Sequence, residues 1–258
     1  MKESDEIKNL RVEDIVEIVA MTRQAFNNTY LIPSVYRGQG IGEFINRELH
    51  NPFSAYQYYV LYIDNEPTGY AEYKIFKNSS LVFLNIIVVD DKYKNAGIGK
   101  KLFNFTRNKF ISEGFNKMAL DVYESNTVAM NWYQGYGFQN IETTGLYEVC
   151  IENCEQEYEN LFVQNYPQYE VLRENYGFSF LEMMIENEPI KIGVIDKDAI
   201  LRGSYSSTLN RNLALIKKKL NFEKLYYIGK DFSKELKIID RIVRMELNLN
   251  HDTKASTE

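Results

Sequence analysis

The spacing of hydrophobic positions changes several times along the chain, and each change marks an element. Ile15, Ile18, Val19, Thr22, Ala25 and Phe26 return to one side of a 3.6-residue repeat, which predicts a helix capped by Asp14. Asn27–Pro52 mixes polar and aromatic residues and reads as a second helix with irregular flanks. Tyr58–Asp64 and Thr68–Ile75 read as paired strands turning through Asn65-Glu66-Pro67, and Lys77–Ser80 makes another turn. Phe83–Val89 is apolar and β-branched save for Asn85, which suits a central strand. Ile98, Leu102 and Phe105 recur at i, i+4 and i+7, with Phe103 and Phe110 beside them, so a helix starts at Ile98 and Gly114 stops it. Lys117–Val122 reads as a strand. Asn126 then stands at a helix N-cap, Ala129, Trp132, Tyr133 and Tyr136 follow at helical spacing, and Gly135-Tyr136-Gly137-Phe138 closes the helix.

Beyond about residue 151 the pattern changes. Glu152–Glu159 is acidic, and Asn160–Tyr176 is rich in aromatic and polar residues. Glu186–Asp198 reads as a strand with flanking turns, Ala199–Tyr205 as a strand and Leu209–Leu220 as a helix. Lys224–Ile228 and Ile238–Leu249 read as strands, the last one long. The expected organisation is α/β with a mixed sheet (α+β), divided into domains at residues 1–150 and 151–258.

A chain of 258 residues buries a proper core whether it forms one large domain or two modest ones. Its net charge of −6 argues against a nucleic-acid partner and favours cationic ligands such as amines. No apolar run approaches the ~20 residues of a membrane span. The start, MKESDEIKNL, lacks the apolar stretch of a signal peptide, so cytoplasmic residence without a membrane partner is expected. Cys150 and Cys154 are the only cysteines and His50 and His251 the only histidines. Two reduced thiols, no metal site and no imidazole base are expected.

The chemistry concentrates at Leu81–Phe105. A buried strand that feeds a helix through a loop holding Gly97 and Gly99 leaves backbone N–H groups pointing one way, a site for phosphate. A Cβ at either glycine would hold a pyrophosphate away from the backbone. The loop is neither a Gly-Lys-Ser/Thr loop nor G-x-G-x-x-G. Lys94-Asn95-Ala96-Gly97-Ile98-Gly99 instead resembles the Arg/Gln-x-x-Gly-x-Gly/Ala signature of the GNAT superfamily of N-acetyltransferases, and Val89-x-x-x-Tyr93 resembles the family's flank. Lys94 replaces the usual Arg or Gln, and Asp91 the usual Pro. Asn126, Ala129, Tyr133, Gly137 and Phe138 resemble the family's second block. The resemblance covers roughly residues 5–150. Tyr36-Arg37-Gly38-Gln39-Gly40-Ile41-Gly42 matches the loop signature letter for letter, but no buried strand precedes it and no Asn/Tyr helix follows, so it reads as a flexible segment or lid.

The resemblance implies a GNAT-like acyl-CoA N-acyltransferase fold with a second, smaller α+β domain. It also implies direct transfer of an acetyl group from acetyl-CoA to a primary amine of a small molecule or peptide. The pyrophosphate would rest on Lys94, Asn95, Ala96, Gly97, Ile98, Gly99 and Lys100. The pantetheine arm would pair with Ile87, Val88 and Val89, and a backbone N–H near Val88 or Val89 would polarise the thioester carbonyl. Tyr133 would protonate the leaving thiolate, and Asn126 would fix the cofactor's arm. Glu72, Asp121 and Glu124 are candidate bases, Glu72 first among them. A non-catalytic acyl-CoA sensor or scaffold is the alternative, and an intact Tyr133 favours the enzyme. Asn210 and Phe222 stand twelve apart, as do Asn126 and Phe138, so residues 151–258 are either a degenerate second GNAT-like half or a chance likeness. Lys217 and Asn221 hold the places of Tyr133 and Gly137, and no Gly-x-Gly follows residue 151, so no second cofactor site is expected. That half would complete the acceptor pocket, extend the sheet or form an oligomer contact such as a homodimer.

Overall fold

The computed structural model describes residues 5–151, 161–185, 187–203, 207–230 and 236–250. They form two compact units, neither of them continuous in sequence. The first comprises residues 1–27, 42–142 and 243–258, the second residues 28–41 and 143–242. These are not the consecutive halves that a boundary at residue 150 would give. The chain passes from one unit to the other four times, at 27/28, at 41/42, and within two long strands, β6 (Gln139–Val149) and β12 (Lys237–Asn248).

In the first unit the strand order is β1 (Asp5–Asn9), β2 (Tyr56–Ile63), β3 (Glu66–Phe76), β4 (Leu81–Val89), β5 (Lys117–Tyr123), then β12. The β1–β2, β2–β3 and β3–β4 pairs are antiparallel and β4–β5 is parallel. The parallel pair requires a crossover, supplied by α4 (Ile98–Ser112). One face of β2 and β3 packs on α4, where Tyr73 meets Phe110 at 4.8 Å between ring centroids and donates or accepts a 2.6 Å bond with Thr106. Within α4 the buried face is Ile98, Leu102, Phe103, Thr106 and Phe110, whereas Phe105, expected on it, is 41% exposed. Helix α1 (Ile15–Ala25) buries Ile15, Ile18, Val19, Met21 and Thr22 but leaves Ala25 exposed. Asp14 does not cap it by side chain; the carboxylate instead takes Arg11 and the Tyr62 hydroxyl. Helix α3 (Ile41–His50) lies in the stretch read as a second helix, preceded by the short α2 (Asn28–Leu31). β1 escapes a periodicity reading because an edge strand of sequence DEIKN has one partly buried apolar side chain, Ile7. Val243, Met245, Leu247 and Leu249, from the end of the chain, join Phe103, Tyr133 and Phe138 in the core of this unit.

In the second unit the order is β6, β11 (Lys224–Gly229), β10 (Asp198–Arg202), β9 (Glu188–Ile195), β8 (Phe178–Ile185) and β7 (Leu161–Val163). Helices α6 (Tyr166–Tyr176) and α7 (Ser207–Leu220) complete it, and Tyr169, Leu209, Leu213 and Ile216 enter a core with Leu181, Val194, Leu201 and Tyr227. β10 and β11 are parallel, with α7 as their crossover, the same motif as β4–α4–β5. Here the pairing runs the full length of β10, from Asp198↔Lys224 to Arg202↔Ile228. The glycine-rich look-alike belongs to this unit. Arg37 Nη2 donates to Asp198 Oδ2 at 2.6 Å, and Gly40 N–H donates to the Tyr176 carbonyl at 3.0 Å. A Cβ on Gly38 would meet the Tyr176 carbonyl at 2.5 Å, and one on Gly40 the Asn175 carbonyl at 2.0 Å. Those glycines serve close backbone approach. Residues 152–160, with Cys154, and His251 lie outside the described residues, as does the Asn210 side chain.

Candidate functional site

The site begins where two strands part. β4 and β5 pair from Leu81↔Lys117 to Leu84↔Leu120 and no further, while β3 follows β4 to the rung Gly69↔Val89. From Asn85 onward, no strand among the described residues covers the β5-facing edge of β4. That stretch holds Ile87, Val88 and Val89 and is open for an added strand-like ligand. Asn85 is also the extra residue of a β-bulge, since Glu72 pairs with Ile86 and Tyr73 with Leu84. A bulge kinks its strand and sharpens the local twist, which helps turn β4 away from β5.

Beyond β4 the chain makes a tight turn in which the Asp90 carboxylate accepts from the Lys92 N–H at 2.8 Å. Asn95 (φ 64°) and Gly97 (φ 79°) are both left-handed, and Gly97 stands at the N-cap of α4. The first helical bond of α4 runs from Lys101 N–H to the Gly97 carbonyl at 3.0 Å. The N–H groups of Ile98, Gly99 and Lys100 therefore have no acceptor within the helix. No acidic residue stands in the first turn, so the dipole's positive end is not offset there. A Cβ on Gly97 would have nothing within 4 Å, whereas one on Gly99 would touch Val89 Cγ2 at an ordinary 3.5 Å. Gly97 thus keeps open the space in front of the bare amides, which fits a diphosphate. Lys94, Asn95, Ala96 and Lys100 are all exposed around it. Lys94 Nζ pairs with Asp91 Oδ1 at 2.7 Å.

Tyr133 sits on α5 (Thr127–Gly135), 8% exposed in the core of the first unit, with ring centroids of Trp132 and Phe138 at 5.1 and 5.6 Å. Asn126 begins that helix, its Oδ1 accepting from Ala129 N–H at 3.2 Å, and Gly137 (φ 90°) ends it. The Tyr133 hydroxyl has no hydrogen-bond partner among the described residues. Burial pushes its pKa above the ordinary phenol range, so it keeps its proton. The expected Asn126 role meets a constraint: one oxygen is committed to the helix cap, and Nδ2 is the group left for a ligand.

The three carboxylates proposed as bases differ sharply. Asp121 is held by Arg244 through both oxygens, Nε to Oδ1 at 2.5 Å and Nη2 to Oδ2 at 3.0 Å, and that guanidinium lies 4.9 Å from the centre of the Phe83 ring. Both carboxylate oxygens of Asp121 are thus engaged by one side chain, which leaves it committed to Arg244 rather than to a ligand. Glu124 is exposed after β5. Glu72 is 7% exposed on β3, opposite Ile86 and hence one rung past the point where β4 and β5 part. Its Oε1 accepts from Asn85 Nδ2 at 2.9 Å and its Oε2 from the Tyr70 hydroxyl at 3.0 Å. Tyr58, its partner on β2, is held protonated first by burial, then by the Glu72 and Glu48 charges. The residues a sequence reading missed are Tyr70 and Arg244. Asn85 was visible as the one polar interruption in Phe83–Val89.

Among the described residues no three His, Cys, Asp or Glu side chains gather as a metal site, and no helix is long and apolar enough to cross a membrane. Residues 17–138 match the model of the acetyltransferase (GNAT) family. A spermine/spermidine N(1)-acetyltransferase of Bacillus subtilis is 28% identical over 87 residues, 31% of this chain. The chain spans a little over half of that relative's length, 57%. Among solved structures, a tandem GNAT protein from the clavulanic acid biosynthesis pathway superposes with a TM-score of 0.70 at 9% identity, covering 95% of this chain and 99% of that one. A Pyrococcus horikoshii protein provisionally named an acetyltransferase gives 0.64 at 16% identity, covering 95% and 89%. Identities this low carry the fold alone: a GNAT fold with a second domain.

Proposed function

We propose, from the match of residues 17–138 to the acetyltransferase (GNAT) family model, that the protein is an N-acetyltransferase that moves an acetyl group from acetyl-CoA to a primary amine. The observation that carries this reading is the uncovered edge of β4 after Leu84, which leads to the bare N-terminus of α4. When bound, acetyl-CoA supplies the acyl thioester. The N–H groups of Ile98, Gly99 and Lys100, with Asn95, Ala96, Gly97 and Lys94 around them, hold the diphosphate. Ile87, Val88 and Val89 pair with the pantetheine amides, and a main-chain N–H at Val88 or Val89 stabilises the negative charge that develops on the carbonyl oxygen. Asn126 Nδ2 orients the arm.

Glu72 takes the proton from the ammonium form of the acceptor, because only a free amine has the lone pair to attack. As the new C–N bond forms and the C–S bond breaks, Tyr133 gives its proton to the departing thiolate; the nitrogen sheds its second proton, which restores Tyr133 by way of solvent, and Glu72 returns its own proton to solvent. Its buried, fully protonated hydroxyl suits that task. The acceptor is a small-molecule amine or a peptide. Polyamines head the candidates, since the curated relative is named for spermine and spermidine.

The test is thiol release from acetyl-CoA by the full chain with polyamines, aminoglycosides, amino acids and peptides. Amine-dependent release that Tyr133→Phe suppresses is the expected result. Binding of acetyl-CoA with no release for any amine would instead make the protein a sensor or scaffold.

A further inference from the structure

Asn85 is the only polar side chain in Phe83–Val89. A polar group in a central strand costs free energy unless it is hydrogen-bonded, so its presence asks for a partner. That partner is Glu72. Asn85 follows the last β4–β5 rung, forms the bulge opposite the Glu72–Tyr73 step, and donates from Nδ2 to Glu72 Oε1 at 2.9 Å. An ionised carboxylate only accepts, so the amide must present its NH2 to Glu72. Tyr70 donates to the other oxygen at 3.0 Å. Each oxygen has a fixed donor, and the carboxylate is held in one orientation beside the point where the strands part.

We infer that Asn85 is a positioning residue for acetyl transfer: through its bond to Glu72 it holds that carboxylate ionised and aimed at the fork between β4 and β5. The inference rests on the acetyl-transfer reading above. Hydrogen bonds to a carboxylate favour its charged form, while burial and nearby negative charge oppose it. The groups that share this environment are Tyr56 and Tyr58 on β2, Glu48 on α3, and Tyr70 and Lys74 on the strand of Glu72 itself. Two neutral donors, Asn85 and Tyr70, bond to the carboxylate oxygens themselves. A base is useful only while deprotonated, so loss of a donor that favours the anion moves the acid limb of the rate profile to higher pH.

The experiment is kcat/KM for acetyl transfer against pH, measured on the full chain for the wild type, Asn85→Ala, Tyr70→Phe and Glu72→Gln. Asn85→Ala and Tyr70→Phe are each expected to raise the apparent pKa of the acid limb by about one unit, with the KM for acetyl-CoA little changed. Glu72→Gln should abolish that limb along with most of the rate. Tyr70→Phe keeps the buried ring, so it carries the test if Asn85→Ala does not fold. A limb that stays in place in the folded variants, with the rate lowered equally at every pH, overturns the inference and leaves the acetyltransferase reading standing. Full activity in Glu72→Gln overturns it as well. A wild type that transfers no acetyl group to any amine overturns both.

Discussion

Lys94 Nζ lies 2.7 Å from Asp91 Oδ1, so the two positions at which this loop departs from the acetyltransferase signature it resembles are paired with each other. Both side chains are more than half exposed, and such a pair contributes little to stability. Under the proposed acetyl-CoA reading its cost falls on the ligand, since Lys94 would have to leave Asp91 to serve a phosphate. Asp91→Ala is therefore expected to lower the KM for acetyl-CoA by up to about fivefold, with a thermal midpoint close to wild type. A rise in KM would show that Asp91 helps shape the loop.

Gly97 and Gly40 look alike in sequence and face opposite constraints. Gly97→Ala meets no atom but must hold φ 79°, a strain of about 1 kcal/mol. It should fold, and its defect should appear as a raised KM for acetyl-CoA, more severe in Gly97→Glu. Gly40→Ala would drive a Cβ into the Asn175 carbonyl. Its defect should appear in thermal unfolding, with the KM for acetyl-CoA of whatever protein folds close to wild type.

Tyr133→Phe removes a hydroxyl that has no partner in the described protein, so the thermal midpoint should hold. The rate should fall about 100-fold, the lower range for loss of a general acid. Burial raises the phenol's pKa, and an acid works while protonated. The alkaline limb of kcat should therefore show no loss from Tyr133 up to about pH 10, the ordinary phenol value. A limb near neutrality that vanishes in Tyr133→Phe would contradict this.

Met245, fully buried in the core of the first unit, comes from the last strand of the chain. Met245→Ala should destabilise that unit by about 2–5 kcal/mol. A chain cut after residue 150 lacks Val243, Met245, Leu247 and Leu249 together. It should fail to unfold cooperatively by calorimetry and fail to bind acetyl-CoA.

Local chemistry made much of this protein readable from its residues. The start of α4 at Ile98, the N-cap of Asn126 and the apolar run of β4 are decided by neighbours a few positions away, and those neighbours are in the sequence. The burial of Tyr133 also follows from local pattern, because a helix of known start fixes which side chains enter the core. The second unit was less legible: α6, β7 and β8 lie in Leu161–Ile185, where aromatic and polar residues alternate with no clean period.

Only the tertiary structure could decide which carboxylate is held where. Asp121, Glu72 and Glu124 were all candidates in the sequence, yet Asp121 meets Arg244 across 123 positions and Glu72 meets Asn85 across a bulge. The same holds for Arg37, whose glycine-rich surroundings imitate a phosphate loop while its charge is matched to Asp198, 161 positions away. Periodicity and turn chemistry act over one or two turns of chain. Pairing of charges and completion of a core act through space, and a one-dimensional pattern carries no distance between residues that only folding brings together.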